Sequence, residues 1–321
     1  MSLVVHQNGT SIPYALRLNG HKGAVLANRF NEDGTLVASG GVDRNLIVWK
    51  IPDSPELIKE ELPYDYNVAN ITKSAITSIR WSHLNENHLL VASADSTATV
   101  FDITKNQKIK TFYHKMCINE ISNSDNDMLV TCSDDGSVKL WDSRSRFEID
   151  TVQHKYPLLT ATIDSKDQRF YFAGIDPTVF CYDARKRSML LWEECNQTNN
   201  VTSLALSPDE SYLVSKSVDN TIKYYDSRLY TKGLRARPYV FDGAKASTDD
   251  FLTRLKAVKK SDGKEYIISG SNDAHVYVWD FASRRLKSRL DGHLGTVLDV
   301  DLVNDRLISG SIDGTLILRS L

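Results

Sequence analysis

Residues 133–144 read SDDGSVKLWDSR, and the chain returns to this pattern along its whole length. Asp135-Gly136 is a tight-turn signal. Val138 and Leu140 then alternate with polar neighbours at period two, as a half-buried strand does. The strand ends on Trp141-Asp142, so six positions separate the turn aspartate from the aromatic.

That interval recurs. Asp43 precedes Trp49 by six, Asp95 precedes Phe101, Asp176 precedes Tyr182, Asp219 precedes Tyr225 and Asp273 precedes Trp279. Asp313 stands six before Arg319, where the aromatic is lost. The seven aspartates lie 52, 40, 41, 43, 54 and 40 residues apart. A strand-patterned period of roughly 40 to 45 residues ending in Trp-Asp is the signature of WD40 blades. Seven in series predict one all-β, seven-bladed WD40 β-propeller.

The chain has 321 residues, a length that could hold two domains, but a blade cannot bury its faces without neighbours. The reading is a short tail at 1–10 and a single propeller over 11–321. Net charge is −2 with 25% charged residues, which argues against a general nucleic-acid or membrane-surface binder. Cys117, Cys132, Cys181 and Cys195 show neither a CxxC pair nor zinc-like His spacing, so reduced thiols and no metal are expected. The first residues lack the basic and apolar regions of a secretory signal, and no apolar window is long enough to span a bilayer. Sequons such as Asn200-Val201-Thr202 are therefore expected to stay unmodified.

Tyr14 to Leu18 reads as a strand placed before the first blade begins at Gly20-His21. After Leu316-Ile317-Leu318 the last blade is one outer strand short. The N-terminal strand is expected to fill that place and close the ring, which removes exposed edges.

Blade one carries His21, Ser39, Asp43 and Trp49, blade three His114, Thr131, Asp135 and Trp141, and blade seven His293, Ser309 and Asp313. These residues are expected to form buried relays, because polar groups inside a sheet stack must pair with one another. A His-Asp-Ser set could also suggest a hydrolase triad, but this one repeats at blade intervals and has no nucleophile elbow. Blade two lacks Gly-His. Blade four has His154 and Asp176 but Tyr182, with Pro177 after the turn. Blade five puts Gln197 in place of His, and blade six keeps Ser269, Asp273 and Trp279.

Two insertions interrupt the period. Residues 52–73 hold Pro52, Pro55, Pro63 and several acids, and read as a solvated loop. Residues 227–251 hold Arg228, Lys232, Arg235 and Arg237 and then Asp249 and Asp250; such a loop could meet a phosphate or an acidic partner, or simply be solvated. Three consecutive blades end in aromatic-Asp-x-Arg, giving Arg144, Arg185 and Arg228, with Arg146, Lys186 and Arg187 nearby. These follow the third strand of each blade, on the side opposite His21 and Asp43. They read either as a partner-docking arc or as exposed turns paired locally with carboxylates.

The stretches SDDGSVKLWDSR, SLALSPDESYLVSKSVDNTIKYYDSRLY and SNDAHVYVWDFASRRLKSRLDGHLGTV, with GHKGAVLANRFNEDGTLVASGGVDRNLIVW of blade one, resemble the WD40 family that supplies a subunit of the spliceosomal U5 small nuclear ribonucleoprotein. The resemblance covers nearly everything after residue 11. It implies a non-catalytic scaffold for pre-mRNA splicing in the nucleus, docked on the large U5 scaffold protein and other spliceosomal proteins. Little direct RNA contact, no membrane, no cofactor and no small-molecule substrate are implied. Aromatic-Asp-x-Arg also resembles the motif by which WD40 receptors join cullin-4 ubiquitin ligases. For an enzyme, no phosphate-cradling glycine loop, metal cluster or paired catalytic carboxylates are present in the sequence.

Overall fold

The computed structural model describes residues 6–7, 10–11, 15–52, 62–190, 197, 199–227, 239–244 and 251–321. The strands fall in chain order. β1 (His6–Gln7) and β2 (Thr10–Ser11) form a small hairpin, and β3 (Ala15–Asn19) follows. Blade one is β4 (Val25–Phe30), β5 (Leu36–Gly41), β6 (Leu46–Lys50) and β7 (Tyr66–Val68). Blade two is β8 (Ile76–Trp81), β9 (His88–Ser93), β10 (Thr97–Asp102) and β11 (Gln107–Tyr113). Blade three is β12 (Ile118–Asn123), β13 (Met128–Ser133), β14 (Ser137–Asp142) and β15 (Glu148–Gln153). Blade four is β16 (Leu158–Ile163), β17 (Arg169–Gly174), β18 (Phe180–Asp183) and β19 (Ser188–Leu190). Blade five is β20 (Val201–Leu206), β21 (Tyr212–Ser217), β22 (Ile222–Asp226) and β23 (Tyr239–Phe241). Blade six is β24 (Leu255–Lys259), β25 (Glu265–Gly270), β26 (Val276–Asp280) and β27 (Leu286–Leu290). Blade seven is β28 (Val297–Val303), β29 (Arg306–Ser311), β30 (Thr315–Ser320) and β3. The fold is a seven-bladed β-propeller of antiparallel four-stranded sheets.

The four strands of a blade, a to d, differ in burial for a physical reason. Strands b and c lie between strands a and d of their own sheet, and β5, β9, β13 and β25 are buried at nearly every position. Strand d has solvent beside it, and β11 and β15 show mostly exposed or half-buried residues. Short apolar runs therefore mark b and c, while d carries little hydrophobic signal.

The strands cluster into two compact units. The first holds residues 1–76 and 243–321, with blades one, six and seven. Here β3 pairs antiparallel with β30, Leu16 opposite Leu318 and Leu18 opposite Leu316, so the N-terminal strand completes the last blade. Leu16 and Leu18 enter one buried cluster with Trp49, Ile308, Leu316 and Leu318. Full burial of a leucine contributes about 1.5–3 kcal/mol. The second unit, residues 77–242, holds nearly all of blades two to five. Its clusters run blade to blade: Val130, Leu140 and Leu158 meet Phe170 and Phe172, and Tyr171 and Cys181 meet Val201 and Leu213.

Two sequence expectations need correction. The acidic insertion is not loop throughout, because Tyr66–Val68 is the outer strand of blade one. The second insertion likewise contains Tyr239–Phe241, the outer strand of blade five. Three-residue edge strands are too short for a period-two pattern to declare itself. Within the tail, His6 pairs with Ser11 and Gln7 with Thr10.

Candidate functional site

Six of the seven repeat aspartates use one carboxylate oxygen in the same way: Asp43, Asp95, Asp135, Asp176, Asp219 and Asp313 accept the backbone N–H two residues on, at 2.8–3.2 Å. This is the reason for aspartate here, since its short side chain closes the b–c turn. The residue after Asp135 is Gly136 at φ 76°, and a Cβ there would stand 2.6 Å from the carbonyl oxygen of His154.

In the blades that carry a relay histidine, the second oxygen ties this turn to the d–a loop. Asp43, Asp135 and Asp313 accept from the N–H of Lys22, Lys115 and Leu294 at 2.9–3.0 Å. In blade one, Nδ1 of His21 lies 3.0 Å from Asp43, Nε2 lies 2.8 Å from Ser39 Oγ, and the Trp49 indole N–H donates to the same hydroxyl at 2.9 Å. Every group is satisfied if Nδ1–H donates to Asp43 and Nε2 accepts the Ser39 proton. Burial works to raise the Asp43 carboxyl, but the hydrogen bond and charge of His21 and the two backbone N–H groups prevail, lowering it to about 2.

Blade three differs by one hydroxyl. His114 Nε2 lies 2.7 Å from Thr131 Oγ1, which accepts the Trp141 N–H at 2.9 Å, but Nδ1 meets Ser137 Oγ at 2.9 Å. Ser137 in turn donates to Asp135 at 2.5 Å, while Asp135 stays 3.4 Å from the ring. Blade seven repeats this with Thr315: His293 Nε2 lies 2.8 Å from Ser309, Nδ1 lies 3.2 Å from Thr315, and Thr315 donates to Asp313 at 2.6 Å. Arg319 takes the aromatic position and is 4% exposed. Its guanidinium donates to the carbonyl of Asp291, and burial lowers its pKa to about 10.

The remaining blades replace the relay. Gln197 donates to Ser215 at 2.6 Å in the histidine position. In blade four Phe172 stands where Ser39 and Thr131 stand in theirs, packs on Phe180, and His154 packs on Phe180 as well. Tyr182 turns its hydroxyl outward onto Asp150 at 2.6 Å. In blade six Asp273 accepts from Tyr277 at 2.7 Å, and Trp279 stacks on Tyr277. The hydroxyls of Ser39, Thr131 and Ser309 belong to residues with no exposure to solvent, so no substrate can reach them.

On the opposite side of the sheets, the c–d turns follow a second rule. Asp102 accepts the N–H of Thr104 and Lys105, Asp142 that of Arg144, and Asp183 those of Arg185 and Lys186, all at 2.8–3.1 Å. The cation that follows pairs back: Lys105 with Asp102 at 3.2 Å, Arg144 with Asp142 at 3.0 Å, Arg185 with Asp183 at 3.4 Å. The Arg144 hydrogen bond is the main cause of a lowered Asp142 pKa. Such exposed pairs contribute about 0–1 kcal/mol. Arg144 and Arg185 remain 73% and 54% exposed at the side chain, and Arg187 is exposed too. Arg228, Arg235 and Arg237 lie outside the described residues.

A family model of the WD domain, G-beta repeat, matches residues 14–50, 106–142, 191–226 and 248–280, each match ending at or just past the aromatic of strand c. The pre-mRNA-splicing factor cwf17 of Schizosaccharomyces pombe is 31% identical over 316 residues, 95% of this chain and 87% of that protein. The U5 small nuclear ribonucleoprotein 40 kDa protein of Dictyostelium discoideum is 31% identical over 288 residues, 89% of this chain and 78% of that one. Its human counterpart is 30% identical over 298 residues, covering 92% and 80%. The chain belongs to the WD40-repeat family.

Sequence reasoning missed an inner network of this WD40 chain. Strand a carries a bulge in blades one, three, four, five and seven. In blades seven, three and four the residue after it accepts from the next blade's backbone: Asp299 from Asn28 at 2.9 Å, Glu120 from Ala161 at 3.3 Å, Thr160 from Leu204 at 2.9 Å. Arg29 adds a charge pair to Asp299 at 2.6 Å, and Arg80 one to Glu120 at 2.9 Å. A polar residue inside an otherwise apolar strand a is the signal that could have found it. Lys110 was missed for a different cause. Its ammonium caps the backbone carbonyls of Asp142, Ser143 and Ser145, partners more than thirty positions away that leave no side-chain pattern.

Proposed function

We propose that this chain is a non-catalytic protein-interaction scaffold of the pre-mRNA splicing machinery, acting in the nucleus. Its partners are the large U5 scaffold protein and other spliceosomal proteins, with little direct RNA contact. Residues 11–321 act as a single propeller domain in this reading. His21, Asp43, His114, Asp135, His293 and Asp313 are fold residues. Arg144, Arg185, Arg187 and Arg228, with Arg235 and Arg237, are the docking candidates.

The observation that carries it is the near-full-length match to proteins named as splicing factors and U5 components, at 87% and 78% of their own lengths. The chemistry is compatible, because the reactive side chains are used up inside the sheets and the turns are what remain on display. The cullin-4 receptor reading rests on aromatic-Asp-x-Arg alone. In that motif Arg144 also bonds locally to Asp142, and Arg185 to Asp183.

The test is affinity capture of the tagged chain from nuclear extract, followed by identification of what co-purifies. U5 proteins are expected; a ligase adaptor in their place would end the splicing reading. The variant Arg144→Glu/Arg185→Glu/Arg228→Glu should fold normally, and if these arginines anchor the partner it should be lost, because reversed charge at a docking face costs affinity.

A further inference from the structure

We propose that the c–d turns of blades two, three and four form one docking strip for an acidic protein segment carrying a large apolar side chain, with Phe147 as the anchor on this chain. The inference rests on the scaffold reading above and adds to it the chemistry of the partner.

Three observations converge on these turns, all within the second unit. The first is charge. Lys105 and Lys108 are exposed at blade two, Arg144 and Arg146 at blade three, and Arg185, Lys186 and Arg187 at blade four. The acids among them are committed: Asp102, Asp142 and Asp183 hold their own turns closed by accepting backbone N–H groups. Seven cations thus face solvent against three capping aspartates and the exposed Glu148. The surplus is positive in a chain whose net charge is −2.

The second is an exposed apolar group beside these cations. Phe147 is 69% exposed, and the guanidinium of Arg146 lies 5.7 Å from its ring centroid. Aromatic residues and arginine side by side are what interface cores are enriched in.

The third is rigidity. The turn that presents Arg144, Arg146 and Phe147 is not left to wander. Lys110 reaches across from β11 and donates to three of its carbonyls. Burial lowers the Lys110 pKa, yet the ammonium is spent on backbone oxygen rather than offered to solvent. A held turn loses less entropy when a partner arrives.

Charge also separates a protein partner from RNA. The a–b turns lie on the same side of each sheet as the c–d turns, next to the innermost strand. They expose Glu86 in blade two and Asp125 in blade three, with Lys166 of blade four the one exposed cation of these turns among the described residues. A phosphate backbone crossing this side would meet those carboxylates, whereas a short acidic segment lying along the outer turns would not.

The experiment uses the full chain and three labelled probes in fluorescence anisotropy: a 15-residue Glu/Asp peptide with one central leucine, its Gln/Asn counterpart, and a 20-nucleotide oligouridylate. The acidic peptide should bind, more weakly as salt rises. The neutral peptide and the RNA should each bind at least tenfold more weakly. Phe147→Ser with Arg146→Glu should lower acidic-peptide affinity at least tenfold with an unchanged melting point. Should that pair disturb folding, Lys186→Glu/Arg187→Glu gives the same test from blade four. The proposal is overturned if the acidic peptide shows no binding at millimolar concentration, if folded variants bind it as the parent does, or if RNA binds more tightly. The assay contains no spliceosomal component, so its failure leaves the splicing reading standing. Failure of nuclear capture by the parent chain would end that reading and leave the peptide result intact.

Discussion

Nη1 of Arg29 lies 2.6 Å from Oδ2 of Asp299, and their side chains are 4% and 0% exposed. The same carboxylate oxygen accepts the backbone N–H of Asn28 and has Arg254 3.8 Å away. Together with a second buried anion, Asp301, which accepts the Phe30 N–H at 2.8 Å, Asp299 pins blade seven to blade one. Asp299→Ala would leave a buried guanidinium and a backbone N–H without it, and such broken pairs cost about 3–5 kcal/mol. A urea or thermal melt should show a loss of that order, with a smaller loss for Asp299→Asn, which keeps an acceptor. Equal melts for parent and Ala variant would show the pin to be energetically idle.

Asp135→Ala removes the acceptor for Ser137 and for two backbone N–H groups at once. The expected cost is about 1–3 kcal/mol. Ser137→Ala, which interrupts the contact between Asp135 and His114 but leaves the turn cap, should cost about 1 kcal/mol. If the two losses are equal, the turn cap contributes nothing and the hydroxyl carries the whole link.

Acid sensitivity follows from His114. Burial drives its folded pKa down from 6.5 to about 4. Between these values the unfolded chain binds a proton that the folded chain refuses, so stability falls as pH drops through that window, by about 1.4 kcal/mol for each unit traversed. The lowered Asp43 adds a second loss only further down, as pH falls from 3.8 towards about 2. His114→Gln, which copies the glutamine that blade five carries at Gln197, should flatten the melting point between pH 7 and pH 5 while lowering it somewhat at pH 7. An unaltered pH profile in the variant would rule His114 out as the source.

Leu18 is fully buried against Leu316 and Trp49. Leu18→Ala should cost about 2–5 kcal/mol. Removing residues 1–10 leaves all seven four-stranded sheets whole, but removing 1–19 strips β30 of its partner and exposes an edge. Size-exclusion chromatography should find the first truncation monodisperse and the second aggregating; identical elution would refute closure by β3.

What is legible in a sequence depends on where each signal resides. The six Asp-to-aromatic intervals, and the seventh that ends on Arg319, are local, set by one turn and one strand, so blade number and register could be read directly. The closing strand was legible too, because an extra strand at one end answered a missing strand at the other. Ser137 and Thr315 escape notice because hydroxyls beside a turn look like ordinary turn residues. His154 and Asp176 hint at a relay in blade four, but Phe172 occupies the hydroxyl position, and an aromatic in strand b reads simply as core. Tyr66–Val68 and Tyr239–Phe241 read as loop because an edge strand of three residues satisfies its backbone on one side only. The arginine arc was visible as a spacing, whereas its local closure on Asp142 and Asp183 required side-chain geometry.

The pairing of β3 with β30 also sets an order in time. Leu16 and its partner Leu318 are 302 positions apart, so β3 must wait for β30 to be made. At about 5–20 residues per second, a ribosome takes roughly 15–60 s to supply that partner. During this interval Leu16 and Leu18 travel as an unpaired apolar strand, and the blades already made present an open edge. Contacts this distant along the chain are slow to form. The nascent chain is therefore exposed to misassociation until β30 is made, and a chaperone that shields residues 15–19 would protect it in that interval.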